Sequence, residues 1–179
     1  ISNKKMNNFD YLEDLTLLLR KKIIFNSHKN KIPHLGSCLS CIDLLVYLYW
    51  EELKIDPQNS EDENRDIFIL SKGHGAPALF HVLAEKGFYK KELLNEFGKD
   101  NSFFHEHPPK PGSVPGIEAA TGSLGHGFPM LIGMAIANQV KNISSRLYAL
   151  LSDGECNEGS IWEAAMFAGG KNLHQVTAI

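Results

Sequence analysis

The sequence predicts an α/β fold, a doubly wound parallel sheet with helices on both faces, and three observations carry that prediction. Short apolar runs at residues 67–70 and 147–151 alternate with longer segments of helical periodicity, the grammar of βα units. Both runs are continuously apolar, as strands covered on two faces must be. Each ends in a small polar turn, Ser71-Lys72-Gly73-His74 and Ser152-Asp153-Gly154-Glu155. Ligands of open α/β sheets bind at such carboxyl-terminal strand ends.

The elements follow in order. Residues 9–30 form a first helix, with Leu12, Leu15, Leu19 and Ile23 at helical spacing and Lys21 and Lys22 toward water. A second helix starts near Ser40, whose hydroxyl is its expected cap, and carries Leu44, Leu45, Leu48 and Tyr49 to the core. The acidic stretch 54–66 reads as a solvated loop. A strand at 67–70 leads into a helix at 76–86, in which His81 is a core or surface histidine. Residues 99–120, rich in Pro, Gly and His, read as a long irregular segment, and such loops in compact domains are usually functional. A helix at 124–141, a strand at 147–151, a helix at 161–168 and a strand from 175 complete the pattern. The expected unit is one domain over 1–179, its sheet truncated at the C-terminal end.

Composition narrows the function. The chain has 179 residues, 43% of them hydrophobic and 22% charged, enough for one core. A net charge of -3 gives no electrostatic case for nucleic acid or membrane surfaces. No apolar run is long enough to span a bilayer and no signal-peptide pattern opens the sequence, so the expected compartment is the cytoplasm. Three cysteines, an odd number, argue against a disulfide framework. Cys38 and Cys41 form a CxxC with no second pair, and buried structural thiols are favoured over zinc or redox chemistry.

The acidic turn after the second strand is the most specific chemical signal. A carboxylate is by charge a poor partner for phosphate, so Asp153 reads as a ligand to a divalent cation that bridges to phosphate oxygens. Gly154 allows the backbone to approach a phosphate closely. Glu155 has two readings, an acceptor for amides at the following helix start or a plain N-terminal helix charge. Trp162 reads as a packing residue. His34, His74 and His107 each lie beside Gly or Pro in loops or at strand ends, where imidazoles can face a cleft.

Four blocks in order carry a family resemblance: Pro33-His34-Leu35-Gly36, then Ser71-Lys72-Gly73-His74-Gly75, then His107-Pro108 with Gly116-Ile117-Glu118-Ala119-Ala120-Thr121-Gly122-Ser123-Leu124-Gly125-His126-Gly127, and finally Asp153-Gly154-Glu155 with Glu158-Gly159 and Trp162-Glu163-Ala164. Together they resemble the thiamine diphosphate-binding domain of the transketolase family. The resemblance implies thiamine diphosphate with Mg2+, or Ca2+ or Mn2+, as cofactors, Asp153 as metal ligand, and Gly122, Ser123, Leu124, Gly154, Glu155 and His74 at the cofactor. It assigns His34 and His107 to hydroxyl and carbonyl oxygens of a sugar or sugar phosphate substrate, His74 to the cofactor and substrate side, and Glu158 to a subunit interface. The family's usual Gln is His126 here, and Ser152 replaces a frequent Gly.

The implied reaction is transfer of a two-carbon ketol unit from a ketose to an aldose. The second metal ligand and the glutamate that activates the cofactor lie outside the chain, so it is expected to work with a complementary pyrimidine-binding domain or subunit, as a homodimer or heterotetramer, and to be inactive alone. The stretch 37–45 resembles split-subunit forms of the family. A synthase condensing pyruvate with an aldehyde phosphate, and a noncatalytic cofactor-holding subunit, are the alternative readings.

Overall fold

The computed structural model describes residues 8–179. Helix α1 spans Asn8–Asn30, and its Leu12, Leu15, Leu19 and Ile23 are buried as their spacing requires. A short helix α2 at Leu35–Leu39, not expected from the sequence, precedes the helix expected from Ser40, which is α3 at Ile42–Tyr47 and continues as a wider turn through Leu48–Glu52. Ser40 is not a cap: its hydroxyl donates to the Ser37 carbonyl at 3.1 Å, and Cys41 precedes α3 without a side-chain cap. The Cys41 thiol donates to the Ser37 and Cys38 carbonyls, and the chain leaves the helical path there. Because α3 buries Ile42, Leu45 and Val46, Leu44 falls one position off the stripe and is exposed, which corrects its expected place in the core.

Strand β1, Ile67–Leu70, leads to α4, Ala76–Lys86. No α-helix or strand interrupts the path from there to α5, Gly127–Lys141. Helix α5 starts three residues later than the sequence suggests, since Gly125, at φ +81°, holds a turn that no helix accommodates. Strand β2, Leu147–Leu150, helix α6, Gly159–Gly170, and strand β3, Val176–Ala178, follow. The strands are all parallel, in the order β1-β2-β3, with Ile67 opposite Leu147 and Leu147 opposite Val176.

The pleat explains why the strands read as continuous apolar runs. Phe68, Leu70, Tyr148 and Leu150 join the core under α1, α3 and α4, whereas Ile69, Leu147 and Ala149 join the one formed with Phe128, Leu131, Ala135 and Ile161 of α5 and α6. Helices therefore cover both faces. Among the described residues no helix is long and apolar enough to cross a membrane.

Three further details lie beyond what the sequence pattern conveys. The acidic connection is not wholly solvated, because Asp66 at its end is buried and accepts from the Lys54 amide at 2.9 Å and the Arg146 amide at 2.9 Å, with Arg146 Nη2 at 2.8 Å. It pins the entry of β1 to the entry of β2. Cys38 and Cys41 are both buried and free, consistent with structural thiols, and burial pushes the Cys38 thiol up to about 11. His81 is in the core, its Nε2 3.3 Å from Asn26 Nδ2.

Burial, with Lys22 nearby, lowers the His81 imidazole from 6.5 to about 4, Glu85 opposing weakly. The unfolded chain then binds a proton that the folded chain refuses, so stability rises with pH between about 4 and 6.5 and is complete above that window. Urea unfolding at pH 4 and pH 7 should differ by up to about 3 kcal/mol from this group. In His81→Gln that part of the difference should vanish.

Candidate active site

The carboxyl-terminal ends of β1 and β2 point into one crevice, and a buried carboxylate ties them together. Glu155, in the turn after β2, is 0% exposed; its Oε1 accepts from the Ser71 hydroxyl at 2.7 Å and from the Gly125 amide at 2.9 Å. Ser71, immediately after β1, in turn accepts from the Phe128 amide at the start of α5 at 3.0 Å. Three loops that the sequence keeps far apart thus share one oxygen. Oε2 has no hydrogen-bond partner among the described residues. Both hydrogen bonds of the carboxylate run to Ser71 and Gly125 and none to the following helix, so Glu155 is neither an acceptor for that helix's amides nor a plain solvated charge at its start, its side chain being fully buried.

Small residues let these loops close on one another. A Cβ on Gly73 would stand 2.5 Å from the Thr121 carbonyl carbon, and one on Gly127 would stand 2.6 Å from Ser71 Cα. The Thr121 hydroxyl donates to the Leu70 carbonyl at 2.7 Å, fixing the loop that follows onto the end of β1. Ser71, Thr121 and the buried Lys72, which donates to Ser40 Oγ at 3.2 Å, have structural roles that the sequence reading missed. Their one signal was position, small polar groups directly beside a strand end or a glycine run.

At one end of the crevice three imidazoles meet. His34 precedes α2 in a left-handed conformation at φ 64°, His74 lies in the turn after β1, and His107 comes from the irregular segment. The His74 ring is 4.8 Å from that of His34 and 4.9 Å from that of His107, both edge-on; His34 and His107 are 6.1 Å apart. Partial burial, then the neighbouring His107 and His34, hold His74 below the usual imidazole range, with Glu155 opposing. His74 is therefore neutral near pH 7, able to donate from one nitrogen and accept at the other. A cavity of about 400 Å³ opens beside His107, lined also by Asn30, Lys31, Ile32 and His105.

Asp153 and Gly154 lie in the turn after β2, beside the turn after β1. Both are exposed, and a Cβ on Gly154 would meet nothing within 4 Å, so the backbone here is bare to an approaching group. The segment Gly122-Ser123-Leu124 leads into Gly125, with Ser123 exposed and Leu124 half-buried. Gly122, at φ +151°, passes so close beneath His107 that a Cβ would stand 2.6 Å from its ring. His126 folds back, its Nδ1 donating to the Leu124 carbonyl at 3.0 Å, and so closes its own turn. Glu158 is exposed just before α6. Trp162 does not enter a core: it is 59% exposed and braces the turn by donating from Nε1 to the Cys156 carbonyl at 2.8 Å.

An oxygen donor beside bare backbone suits a hard cation and a phosphate, and a cluster of imidazoles suits hydroxyl groups; both follow the carboxyl ends of strands in one parallel sheet, where ligands of such domains bind. The transketolase, thiamine diphosphate binding domain matches residues 19–179, and the chain belongs to that family. It is 42% identical over 161 residues to the 6-deoxy-6-sulfo-D-fructose transketolase subunit SqwG of Clostridium sp. strain MSTE9, covering 90% of this chain and 58% of that protein. It is 39% identical over 160 residues to an apulose-4-phosphate transketolase subunit of Phocaeicola vulgatus, covering 89% and 56%. The transketolase structure from Campylobacter jejuni superposes with a TM-score of 0.86 at 30% identity, over 96% of this chain and 28% of that one. That from Leishmania mexicana gives 0.86 at 26%, over 93% and 26%. The chain spans a little over half the length of these two curated relatives.

Gly122→Ala should push the His107 ring out of its place while leaving the sheet intact. The overpacking should cost about 1–3 kcal/mol in urea unfolding. Imidazole NMR should show the His107 and His74 resonances moving and those of His174 unmoved.

Proposed function

We propose that this chain is the diphosphate-side subunit of a two-part transketolase that moves a two-carbon ketol unit from a ketose to an aldose, acting on sugars or sugar phosphates with thiamine diphosphate and Mg2+, for which Ca2+ or Mn2+ can stand in. The observation that carries the reading is the meeting of His34, His74 and His107, with His74 in the turn after β1 that is tied through Ser71 and Glu155 to the turn after β2 carrying Asp153. The two relatives are each named as one subunit of a transketolase, which supports a complementary pyrimidine-binding partner. A homodimer or a heterotetramer meets that need, with Glu158, exposed ahead of α6, at the interface between subunits.

The residues fit the cofactor. Asp153 would hold the cation, with the Gly154 backbone against the diphosphate, and Gly122, Ser123 and Leu124 would lie along the cofactor between its ends. When bound, thiamine diphosphate supplies the electron sink for the carbanion of the transferred unit. Glu155 acts from below by fixing the Gly125 turn and Ser71, rather than by touching the diphosphate.

The three histidines do the proton work and the orienting. His34 and His107 hydrogen-bond the hydroxyl and carbonyl oxygens of the ketose, and His74 lies on the side shared by substrate and cofactor. A neutral His74 accepts a hydrogen bond from a hydroxyl at one nitrogen without placing a charge against its neighbours. The cavity beside His107 leaves room for the rest of the sugar chain. Condensation of pyruvate with an aldehyde phosphate is the competing reaction, and a ketose donor tested against pyruvate in the assembled enzyme separates the two.

Two variants test the assignments. In the complete protein, Asp153→Ala should abolish metal-dependent thiamine diphosphate binding in calorimetry with the fold retained; unchanged affinity would remove Asp153 from the metal site. His107→Ala in the assembled enzyme should lower turnover by about two orders of magnitude, the range of a positioned acid or base, with little change in cofactor affinity. Normal turnover would make His107 an ordinary loop residue.

A further inference from the structure

We infer that His34, His74 and His107 also form a binding site for a borderline transition cation of the Zn2+ class, separate from the hard-cation site at Asp153, and that its occupation blocks the crevice. One ligand nitrogen from each ring lies within 4.8 Å of the other two. Bonds of about 2.0–2.1 Å in a tetrahedral arrangement place such nitrogens about 3.4 Å apart, so closure takes about an ångström of side-chain movement. That movement is available. His34 is exposed and the other two rings are half-buried.

Several features favour nitrogen ligation at this point. The rings meet His74 at 84° and 77°, edge to face rather than stacked. The three ligands come from separate segments, and Gly122 packs directly against the His107 ring. Three imidazoles leave a fourth position for water or a substrate oxygen, the donor set of open zinc sites. The cluster contains no carboxylate, so a hard oxygen-seeking cation has no reason to choose it. The thiols of Cys38 and Cys41 do not take part: both are buried, and the Cys41 thiol is committed to backbone carbonyls.

The binding claim stands on this geometry alone; the blocking claim rests on the function proposed for the histidines. A cation held by all three rings removes the groups that would orient the ketose. Zn2+ should therefore compete with the sugar and not with Mg2+.

Equilibrium dialysis of the complete subunit in excess Mg2+ should show Zn2+ bound one per chain. His34→Gln, His74→Gln and His107→Gln, each checked for retained fold by circular dichroism, should weaken it at least about tenfold, while Asp153→Ala leaves it unchanged. Affinity should fall as the pH is lowered, since protons compete with the metal for imidazole nitrogens. On the unsubstituted protein, Co2+ in place of Zn2+ should give the intense visible absorption of a four-coordinate ion. Zn2+ binding insensitive to all three substitutions, its loss in Asp153→Ala, or a pale six-coordinate Co2+ spectrum would overturn the site. In the assembled enzyme Zn2+ should raise the apparent KM for the ketose; bound Zn2+ without inhibition would overturn the blocking claim alone. An assembled enzyme with no ketol transfer would instead refute the proposed function, and dialysis would still read the metal site.

Discussion

The carboxylate of Glu155 is the constraint on which the crevice depends. One oxygen accepts from Ser71 beyond β1 and from the amide of Gly125 in the loop ahead of α5, and the backbone that carries it follows β2. Removing either donor from a buried carboxyl oxygen is costly, because the group left behind is unsatisfied in a low-dielectric surrounding. The loops that carry His74, Gly122 to Leu124 and Asp153 are joined at this one junction. His74 lies three residues beyond Ser71, Gly122 to Leu124 lie just before Gly125, and Asp153 lies two residues before Glu155. Glycine at 73, 125 and 127 is the steric condition of the same junction, since a methyl group at any of them would meet a neighbour within 2.6 Å.

The crevice divides its chemistry by donor type. Its Asp153 end offers oxygen and bare backbone, suited to hard cations and phosphate oxygens. Its histidine end offers ring nitrogens, suited to hydroxyls and to softer cations. Leu124, half-buried between the two, belongs to neither and provides apolar surface. The separation lets one domain hold an anionic cofactor while leaving its imidazoles free for substrate.

Much of this was legible in the sequence, for identifiable reasons. The strands could be read because they are buried on both faces, so Ile67–Leu70 and Leu147–Leu150 carry no polar interruption. The helix from Ala76 to Lys86 begins with proline in its first turn and ends at a left-handed glycine, and both bounds showed. The histidines and Asp153 stood out because they sit at strand ends and in glycine-rich turns. What stayed hidden depends on tertiary contact. The break at Ser40 and Cys41 comes with a thiol bonding to carbonyls, and the burial of Asp66 comes from Arg146, eighty positions away in sequence. Glu155 could not be told from a helix-terminal charge without knowing that Ser71 and Gly125 close over it.

The central claim is that Glu155 and Ser71 act as one unit that sets the crevice, and a double-mutant cycle tests it most directly. Ser71→Ala, Glu155→Ala and the double variant of the complete subunit would be compared in urea stability and in calorimetric affinity for thiamine diphosphate with Mg2+. Each single substitution should weaken both quantities, and the double should weaken them by much less than their sum, with a coupling of about 1–3 kcal/mol in stability. Strict additivity, or cofactor affinity untouched by either change, would contradict the account.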